Sequence, residues 1–131
     1  MQHEAITATA TGILIVEDNQ VNALILRAML RKQGYEPHVA SSGLEGIEMT
    51  ARHRPRLILM DLQMPRLDGF ATAAEIRRFC NGSSPLMVAV TANAAREICA
   101  ACEDAGFAGV LAKPIVYEDL IETVRRCLDD A

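Results

Sequence analysis

The sequence predicts an α/β fold built on a parallel β-sheet. Short apolar runs alternate five times with longer segments in which apolar residues recur at helical spacing, a pattern typical of strands joined by crossover helices. The clearest run, Leu57 to Met60, is continuously apolar, as expected of a strand buried on both faces of a sheet. It ends in Asp61, at the strand end where open α/β sheets bind ligands.

Five strands and five helices are predicted in alternation. The strands are the short apolar runs at residues 12–16, 37–40, 57–60, 86–90 and 109–112. The first helix extends over about residues 20–33, and the second opens with a capping box at Ser42 and Glu45. The remaining helices extend over residues 69–80, about 93–105 and about 117–128.

Apolar residues at helical spacing predict which helix faces pack against the sheet. In the first helix the repeating apolar residues are Val21, Leu24, Ile25, Ala28 and Met29. The residues predicted to point inward are Leu44, Ile47 and Ala51 in the second helix, and Leu120, Ile121, Val124 and Leu128 in the fifth.

The alternation also predicts the architecture. Right-handed crossovers place helices on both faces of a doubly wound parallel sheet. At this length the usual solution is the flavodoxin-like (βα)5 fold with strand order 2-1-3-4-5, and Pro37 suits an edge strand. We expect residues 1–11, rich in Ala and Thr, to form a flexible tail and residues 12–130 to form one domain.

The composition argues against several classes of protein. A formal net charge of −4 and a pI near 5.3 do not suit a nucleic-acid surface, which carries a basic stripe. No apolar run approaches the roughly 18 residues of a membrane helix, so no membrane contact is expected of this domain. The N-terminus lacks the basic start and apolar segment of a secretory signal. The expected location is therefore the cytoplasm.

Two of the four cysteines, Cys99 and Cys102, are three positions apart. In a helix this spacing places both thiols near one face. A zinc site would need two further ligands, and His3, His38 and His53 show no matching spacing. We interpret the cysteines as small core or surface thiols in a reducing compartment.

Polar side chains follow the strands at one edge of the predicted sheet. In the order 2-1-3-4-5 the first and third strands are neighbours, so Glu17 and Asp18 should lie beside Asp61. Thr91 and Lys113 end the fourth and fifth strands at the same edge. We therefore expect these five residues to form one site, although they are far apart in the sequence.

The residue types in this site indicate phosphoryl chemistry. Three neighbouring carboxylates repel one another and raise each other's pKa, a penalty that a divalent cation removes. Oxygen ligands without His or Cys favour a hard ion, Mg2+ or Mn2+. Lys113 and Thr91 supply a positive charge and a hydroxyl donor for phosphoryl oxygens. Asp61, which is central in the site, is the best candidate to attack phosphorus.

The chain resembles the receiver domain of two-component response regulators over nearly all of residues 12–130. The matching segments are Glu17-Asp18-Asn19, Met60-Asp61-Leu62-Gln63-Met64-Pro65 with Asp68-Gly69, Thr91-Ala92, and Lys113-Pro114. Val16 to Asn19 with Asn22, and Ala112 to Ile115, are most similar to receivers attached to hybrid histidine kinases. The cytoplasm remains the expected location for a receiver within a longer, membrane-associated kinase.

The resemblance implies a reaction and a cofactor. Asp61 would accept a phosphoryl group from a phosphohistidine on a histidine kinase or histidine phosphotransfer domain. The receiver itself would catalyse both this transfer and the later loss of the phosphoryl group. Asp18, Asp61 and the backbone carbonyl of Gln63 would bind Mg2+ directly, and Glu17 would help through water.

The resemblance also implies a conformational readout. Thr91 would move towards the phosphoryl group and shift the fourth helix, while Lys113 would pair with a phosphoryl oxygen. The surface of the fourth helix, fifth strand and fifth helix would contact a downstream effector, and the Lys113–Pro114 peptide bond would be cis. Family members usually carry Tyr or Phe where this chain has Val110, so we expect a weaker or different readout.

Two other functions would use the same fold. A degenerate receiver would dock partners without phosphate; the intact acids, Thr91 and Lys113 argue against it, whereas Val110 argues mildly for it. An aspartate-nucleophile phosphatase usually carries a second Asp two positions after the first, and Gln63 stands there instead.

Overall fold

The computed structural model describes residues 12–129, which form five parallel strands and five helices. The strands are β1 (Ile13–Val16), β2 (His38–Ala40), β3 (Leu57–Asp61), β4 (Leu86–Thr91) and β5 (Gly109–Ala112). The helices are α1 (Gln20–Lys32), α2 (Gly43–His53), α3 (Gly69–Cys80), α4 (Arg96–Asp104) and α5 (Tyr117–Asp129). The predicted tail at 1–11 and residue 130 lie outside this range.

The strands pair in the order β2-β1-β3-β4-β5, all in parallel. The flavodoxin-like doubly wound fold predicted from the alternation of elements is thus confirmed. The strand β2 lies at an edge, as expected from Pro37. Within the described residues, no helix combines the length and apolar character needed to cross a membrane.

Alternate residues of the central strands contribute to two core clusters on opposite faces of the sheet, because side chains alternate along a strand. One cluster contains Ile13, Ile15, Leu57, Leu59, Val88 and Val90, packed with residues of α1 and α5. The second cluster contains Leu14, Val16, Ile58, Met60, Met87 and Ala89, packed with residues of α2, α3 and α4. Continuous apolar strands are therefore required, since both faces of the sheet are covered.

The helix α1 packs through a different face from the one suggested by the sequence. Its buried residues are Ala23, Leu26 and Leu30, whereas Val21 and Leu24 are 63% and 62% exposed. Both sets repeat at helical spacing, so periodicity alone does not decide between them. Tertiary packing decides it: Leu26 and Leu30 join the first core cluster with Met29 at its margin, and an apolar stripe is left facing solvent.

The helix α2 also departs from the prediction, whereas α5 follows it. All four inward residues predicted for α5 are buried. In α2, Ile47 packs against the second core cluster as predicted and Ala51 is half-buried, but the fully buried residues are Gly43, Gly46 and Thr50, and Leu44 is 67% exposed. A Cβ on Gly46 would lie 2.9 Å from a methyl carbon of Val16. The helix therefore approaches the sheet through its small residues, which turns Leu44 outward.

One of the two hydrogen bonds of the capping box predicted for α2 is confirmed. Ser42 Oγ accepts a hydrogen bond from the backbone N–H of Glu45 at 3.1 Å. The Glu45 carboxylate, however, accepts from the backbone N–H of Ser41 rather than from that of the cap residue. The reciprocal bond of the predicted box is thus displaced by one residue.

Helices antiparallel to the strands end at the edge of the sheet where the strands begin. Four of the five carry basic residues in their last turn, where positive charge interacts favourably with the helix dipole. These residues include Arg31, Lys32, Arg52, Arg77, Arg78 and Arg126. Basic residues therefore gather at the edge opposite the one where the strands end, although Arg31, Arg52 and Arg78 form ion pairs with Glu36, Glu48 and Glu75.

Candidate functional site

Three carboxylates converge where β1 and β3 end. Val16 is the register partner of Met60, so the residues that follow them, Glu17 and Asp61, lie side by side at the ends of β1 and β3. Carboxylate oxygens of Glu17, Asp18 and Asp61 all lie within 4.8 Å of one another. Asp61 and Glu17 are buried, whereas Asp18 is exposed. The cluster predicted from strand order therefore forms and opens to solvent on the Asp18 side.

Lys113 reaches this cluster from the end of β5. Its Nζ lies 3.1 Å from Glu17 Oε1 and 3.3 Å from Asp61 Oδ1. Burial alone would lower the pKa of Lys113, but the hydrogen bond to Glu17 and the charges of Asp61 and Glu17 outweigh it and raise the pKa. Lys113 is thus a permanent positive charge that two acids share.

Glu17 holds the most perturbed carboxyl of the site. Burial, followed by the hydrogen bond and charge of Asp61, raises its pKa to about 7, although the Asn19 N–H and Lys113 act in the opposite direction. Glu17 Oε1 is buried and, apart from the ion pair with Lys113, accepts no hydrogen bond from the described residues. An oxygen in this condition is a candidate ligand for a cation or for cation-bound water.

Backbone N–H groups fix both buried carboxylates. Glu17 Oε2 accepts from Asn19 N at 3.1 Å, and Asp61 Oδ1 accepts from Gln63 N at 3.1 Å. The Gln63 side chain extends across the site, where its Oε1 accepts from the Ala92 N–H at 3.4 Å. The sequence prediction named the Gln63 carbonyl and missed this contact, which depends on a side-chain rotamer.

Thr91 is buried at the end of β4, at the predicted edge, but its hydroxyl contacts its own loop. Thr91 Oγ1 accepts from Asn93 N at 3.0 Å and lies 3.2 Å from Asn93 O. Asn93 Oδ1 in turn accepts from Ala95 N at 3.1 Å. These loop bonds replace the first helical turn predicted from residue 93, so the predicted start of α4 was wrong and the helix begins at Arg96.

Two further features surround the acids. A Cβ on Gly69, at the start of α3, would lie 2.5 Å from the Asp61 carbonyl oxygen, so only glycine allows this approach. The Lys113–Pro114 peptide bond is cis, as expected. Val110 is half-buried and packs against the second core cluster.

The donor set fits a hard divalent cation. All three converging groups are carboxylates, and among the described residues the buried Glu17 Oε1 has no donor other than the Lys113 ammonium. Mg2+ prefers such oxygen ligands and retains several waters, which the exposed side of Asp18 can accommodate. The residues are therefore those expected for a magnesium site.

Comparison with known proteins agrees with these features. A family model described as response regulator receiver domain matches residues 13–125. Over 115 residues the chain is 38% identical to the peroxide stress-activated histidine kinase mak1 of Schizosaccharomyces pombe, covering 83% of this chain and 7% of that kinase. Over 124 residues it is 33% identical to the polar-differentiation response regulator DivK of Brucella anthropi, covering 92% of this chain and 98% of DivK.

Solved structures show the same relationship. The receiver domain of the sensor histidine kinase PA1611 from Pseudomonas aeruginosa, which has a magnesium ion coordinated in its active-site cleft, is 38% identical with a TM-score of 0.81, covering 89% of this chain and 96% of that one. The receiver domain of Saccharomyces cerevisiae Ssk1, solved with the histidine phosphotransfer protein Ypd1, is 30% identical with a TM-score of 0.84, covering 94% and 93%. Sequence, fold and site geometry agree, and the chain belongs to the response regulator receiver domain family of two-component and phosphorelay signalling.

Proposed function

We propose that Asp61 of this receiver accepts a phosphoryl group from a phosphohistidine in a reaction that requires Mg2+, with residues 12–130 as the receiver unit. The observation that carries the proposal is the position of the Lys113 ammonium, 3.3 Å from Asp61 Oδ1, opposite two further carboxylates. One cation and a cluster of acids around a buried carboxylate suit the binding of a phosphoryl group through its oxygens.

The chain offers a specific ligand set for the cofactor. We assign Asp18, Asp61 and the backbone carbonyl of Gln63 as direct ligands of Mg2+, with Glu17 holding a bound water. When bound, Mg2+ supplies positive charge that neutralises phosphoryl oxygens. The relative with magnesium in its cleft supports this assignment.

Asp61 performs the transfer through one of its two oxygens. The Gln63 N–H and the Lys113 ammonium both contact Oδ1, which leaves Oδ2 as the attacking atom. A bond forms from Oδ2 to phosphorus as the bond from the donor's imidazole nitrogen to phosphorus breaks. Lys113 then pairs with a phosphoryl oxygen, and the Ala92 N–H can donate to another once Gln63 Oε1 releases it.

Signalling follows from the rearrangement of the loop after β4. Thr91 Oγ1 must leave Asn93 to donate to the phosphoryl group, and the bonds from Asn93 to Ala95 connect this change to α4. We assign the face of α4, β5 and α5 to a downstream effector. Val110 packs against the core beneath this face, so the readout proceeds through the loop rather than through a swinging aromatic ring.

The phosphoryl donor is proposed to be a histidine kinase or a histidine phosphotransfer domain that docks on α1. Val21, Leu24 and Ile25 are exposed on that helix. Ile25 also lines a cavity of about 110 Å³ that reaches Glu17 and Lys113. An apolar surface beside the acids suits a partner that must bring its phosphohistidine to Asp61. The similarity to a receiver solved with a phosphotransfer protein supports this class of partner.

The test is phosphorylation by a small phosphodonor. With Mg2+, the native chain should gain the mass of one phosphate, and the adduct should hydrolyse in base as acyl phosphates do. Asp61→Asn should gain none because its amide cannot attack phosphorus, while its circular dichroism spectrum stays native. A phosphate on Asp61→Asn would refute the assignment, and no adduct on the native chain would favour the degenerate receiver.

A further inference from the structure

The two cysteines of α4 form a pair of nucleophilic groups that the phosphoryl site does not use. Cys99 is half-buried, and Cys102 is buried in the second core cluster. Both lie within α4, three positions apart. Helix geometry separates such Cα atoms by about 5 Å, which is inside the range that disulfides span.

The two thiols lie on successive turns of one helix, and the Cys99 side chain must turn away from Ala94 to meet Cys102. Helical side chains lean towards the N-terminus, so the Cys102 thiol lies over the turn that carries Cys99. Burial and, after it, the charge of Cys99 raise the pKa of Cys102. Cys99 Sγ lies 3.5 Å from the Ala94 carbonyl oxygen, at the beginning of the helix. Of the two thiols, Cys99 is the one that solvent reaches.

We propose that Cys99 and Cys102 are an oxidisable dithiol that closes to a disulfide by exchange with a small disulfide such as oxidised glutathione. The Cys99 thiolate attacks one sulfur of the oxidant, forming a mixed disulfide and releasing one glutathione thiolate. Cys102 then attacks the Cys99 sulfur and expels the second glutathione thiolate, which takes up the proton that Cys102 loses. Two protein thiols are oxidised, and one disulfide is reduced to two thiols.

Closure changes the winding of α4. Residues three apart in an α-helix have Cβ atoms about 5–6 Å apart, whereas a disulfide needs about 3.5–4.5 Å. In a 3₁₀ turn the side chains at these positions eclipse, which brings the thiols together. Such a strained disulfide is readily reduced, so the pair is expected to stay as thiols under reducing conditions.

The rewinding reaches the phosphoryl site. A 3₁₀ turn rises about 2.0 Å per residue against about 1.5 Å in an α-helix, so the beginning of α4 is displaced. That beginning is connected through Ala95 and Asn93 to the Thr91 hydroxyl. Oxidation therefore moves the loop that must rearrange on phosphorylation, and this step rests on the proposed function of Thr91.

The experiment titrates the whole chain, without Mg2+ or phosphodonor, in buffers with an increasing fraction of oxidised glutathione. The number of reactive thiols should fall by two, and peptide mapping should give a link between Cys99 and Cys102. Cys99→Ser should lose this response. The control is Cys80→Ser, which removes a half-buried thiol at the end of α3 and should keep the response. A stable glutathione adduct on Cys99 without closure, or a link that includes Cys80, overturns the proposal.

A second measurement tests the connection to Thr91. The amide NMR resonances of residues 91–95 should shift on oxidation and return on reduction in the native chain and in Cys80→Ser, and should not shift in Cys99→Ser. Closure without such shifts would overturn the coupling. Neither measurement involves phosphorylation, so failure of the dithiol and failure of Asp61 as phosphoacceptor are separate results.

Discussion

Lys113 illustrates how one residue holds the site together before any phosphoryl group arrives. Two buried carboxylates would repel each other, and the ammonium between them compensates part of that repulsion. The compensation is incomplete, because burial and, after it, the neighbouring Asp61 still raise the pKa of Glu17 to about 7. The site therefore still gains stability from a second cation, which is the physical reason that it should bind Mg2+.

Binding of Mg2+ should depend on pH because a proton on Glu17 competes with it. Above pH 7 Glu17 is ionised, and below it the proton occupies the cluster. We expect the Mg2+ affinity to fall by up to roughly eightfold between pH 7.5 and 6, in proportion to the ionised fraction of Glu17. Isothermal titration calorimetry measures this directly, and Glu17→Gln should bind more weakly with a flatter pH dependence. An equally steep dependence in that variant would contradict the role given to Glu17.

Gly69 should be sensitive to the smallest side chain. In Gly69→Ala the new Cβ would meet the Asp61 carbonyl oxygen at 2.5 Å, so α3 or the end of β3 must shift. We expect a loss of about 1–3 kcal/mol in the free energy of unfolding and weaker Mg2+ binding. Gly109→Ala is the matched control, because nothing lies within 4 Å of its Cβ. Equal effects in urea unfolding of the two variants would contradict this explanation.

At the scale of the element, α1 has two apolar stripes that differ in burial. The stripe of Ala23, Leu26 and Leu30 packs against the sheet, and that of Val21, Leu24 and Ile25 faces solvent. The buried stripe contributes to stability. The exposed one fits the docking surface proposed above for the phosphoryl donor.

Two leucines in α1 allow a matched comparison. Leu26 is 3% exposed and Leu24 is 62% exposed. Leu26→Ala should reduce the free energy of unfolding by about 2–5 kcal/mol, because it removes buried contacts and leaves a cavity. Leu24→Ala should change it by less than about 0.5 kcal/mol and instead slow phosphotransfer from the cognate donor. If Leu24→Ala lost more stability than Leu26→Ala in chemical denaturation, the stripe that contains Leu24 would be the packed face, as the sequence first suggested.

The sequence predicted the positions of the strands better than it predicted which helix faces are buried. The strands and the position of Asp61 could be predicted, because an apolar run that ends in a carboxylate has few other structures available. The inward face of α1 could not be predicted, since both stripes repeat equally well. The exposure of Leu44 depends on glycine contacts across the fold, and the orientation of the Thr91 hydroxyl depends on a loop whose bonds involve Asn93. Such features are decided by tertiary packing.

At the scale of the whole molecule, stability at low pH depends on groups far from the acids. His38 and His53 stack with ring centroids 3.8 Å apart and an interplanar angle of 12°. Burial and the charge of His53 lower the pKa of His38, and Glu36 compensates only in part. The folded chain therefore binds a proton at His38 less readily than the unfolded chain does.

This linkage predicts a loss of stability on acidification. As the pH falls through the ordinary histidine pKa of about 6.5, the unfolded state takes up more protons and the free energy of unfolding decreases. His38→Gln should lose less stability between pH 7.5 and 5.5 than the native chain, as urea unfolding at both values would show. Glu17, whose pKa is raised, makes the folded state more stable as the pH falls. This effect is the same in the native chain and in His38→Gln, so it cancels when their losses of stability are compared. Identical losses would exclude His38 as a cause.

The basic last turns of the helices have a consequence beyond their own helices. With basic last turns at one edge of the sheet and the carboxylate cluster at the other, the side-chain charges form a dipole along the strands, which the ion pairs of Arg31, Arg52 and Arg78 with nearby glutamates weaken. Its field extends over about a Debye length, roughly 8 Å at physiological ionic strength. Within that distance a charged partner turns the molecule before the two surfaces touch. The acid edge thus meets cations and basic surfaces first, and encounters become productive more often than random orientation would allow.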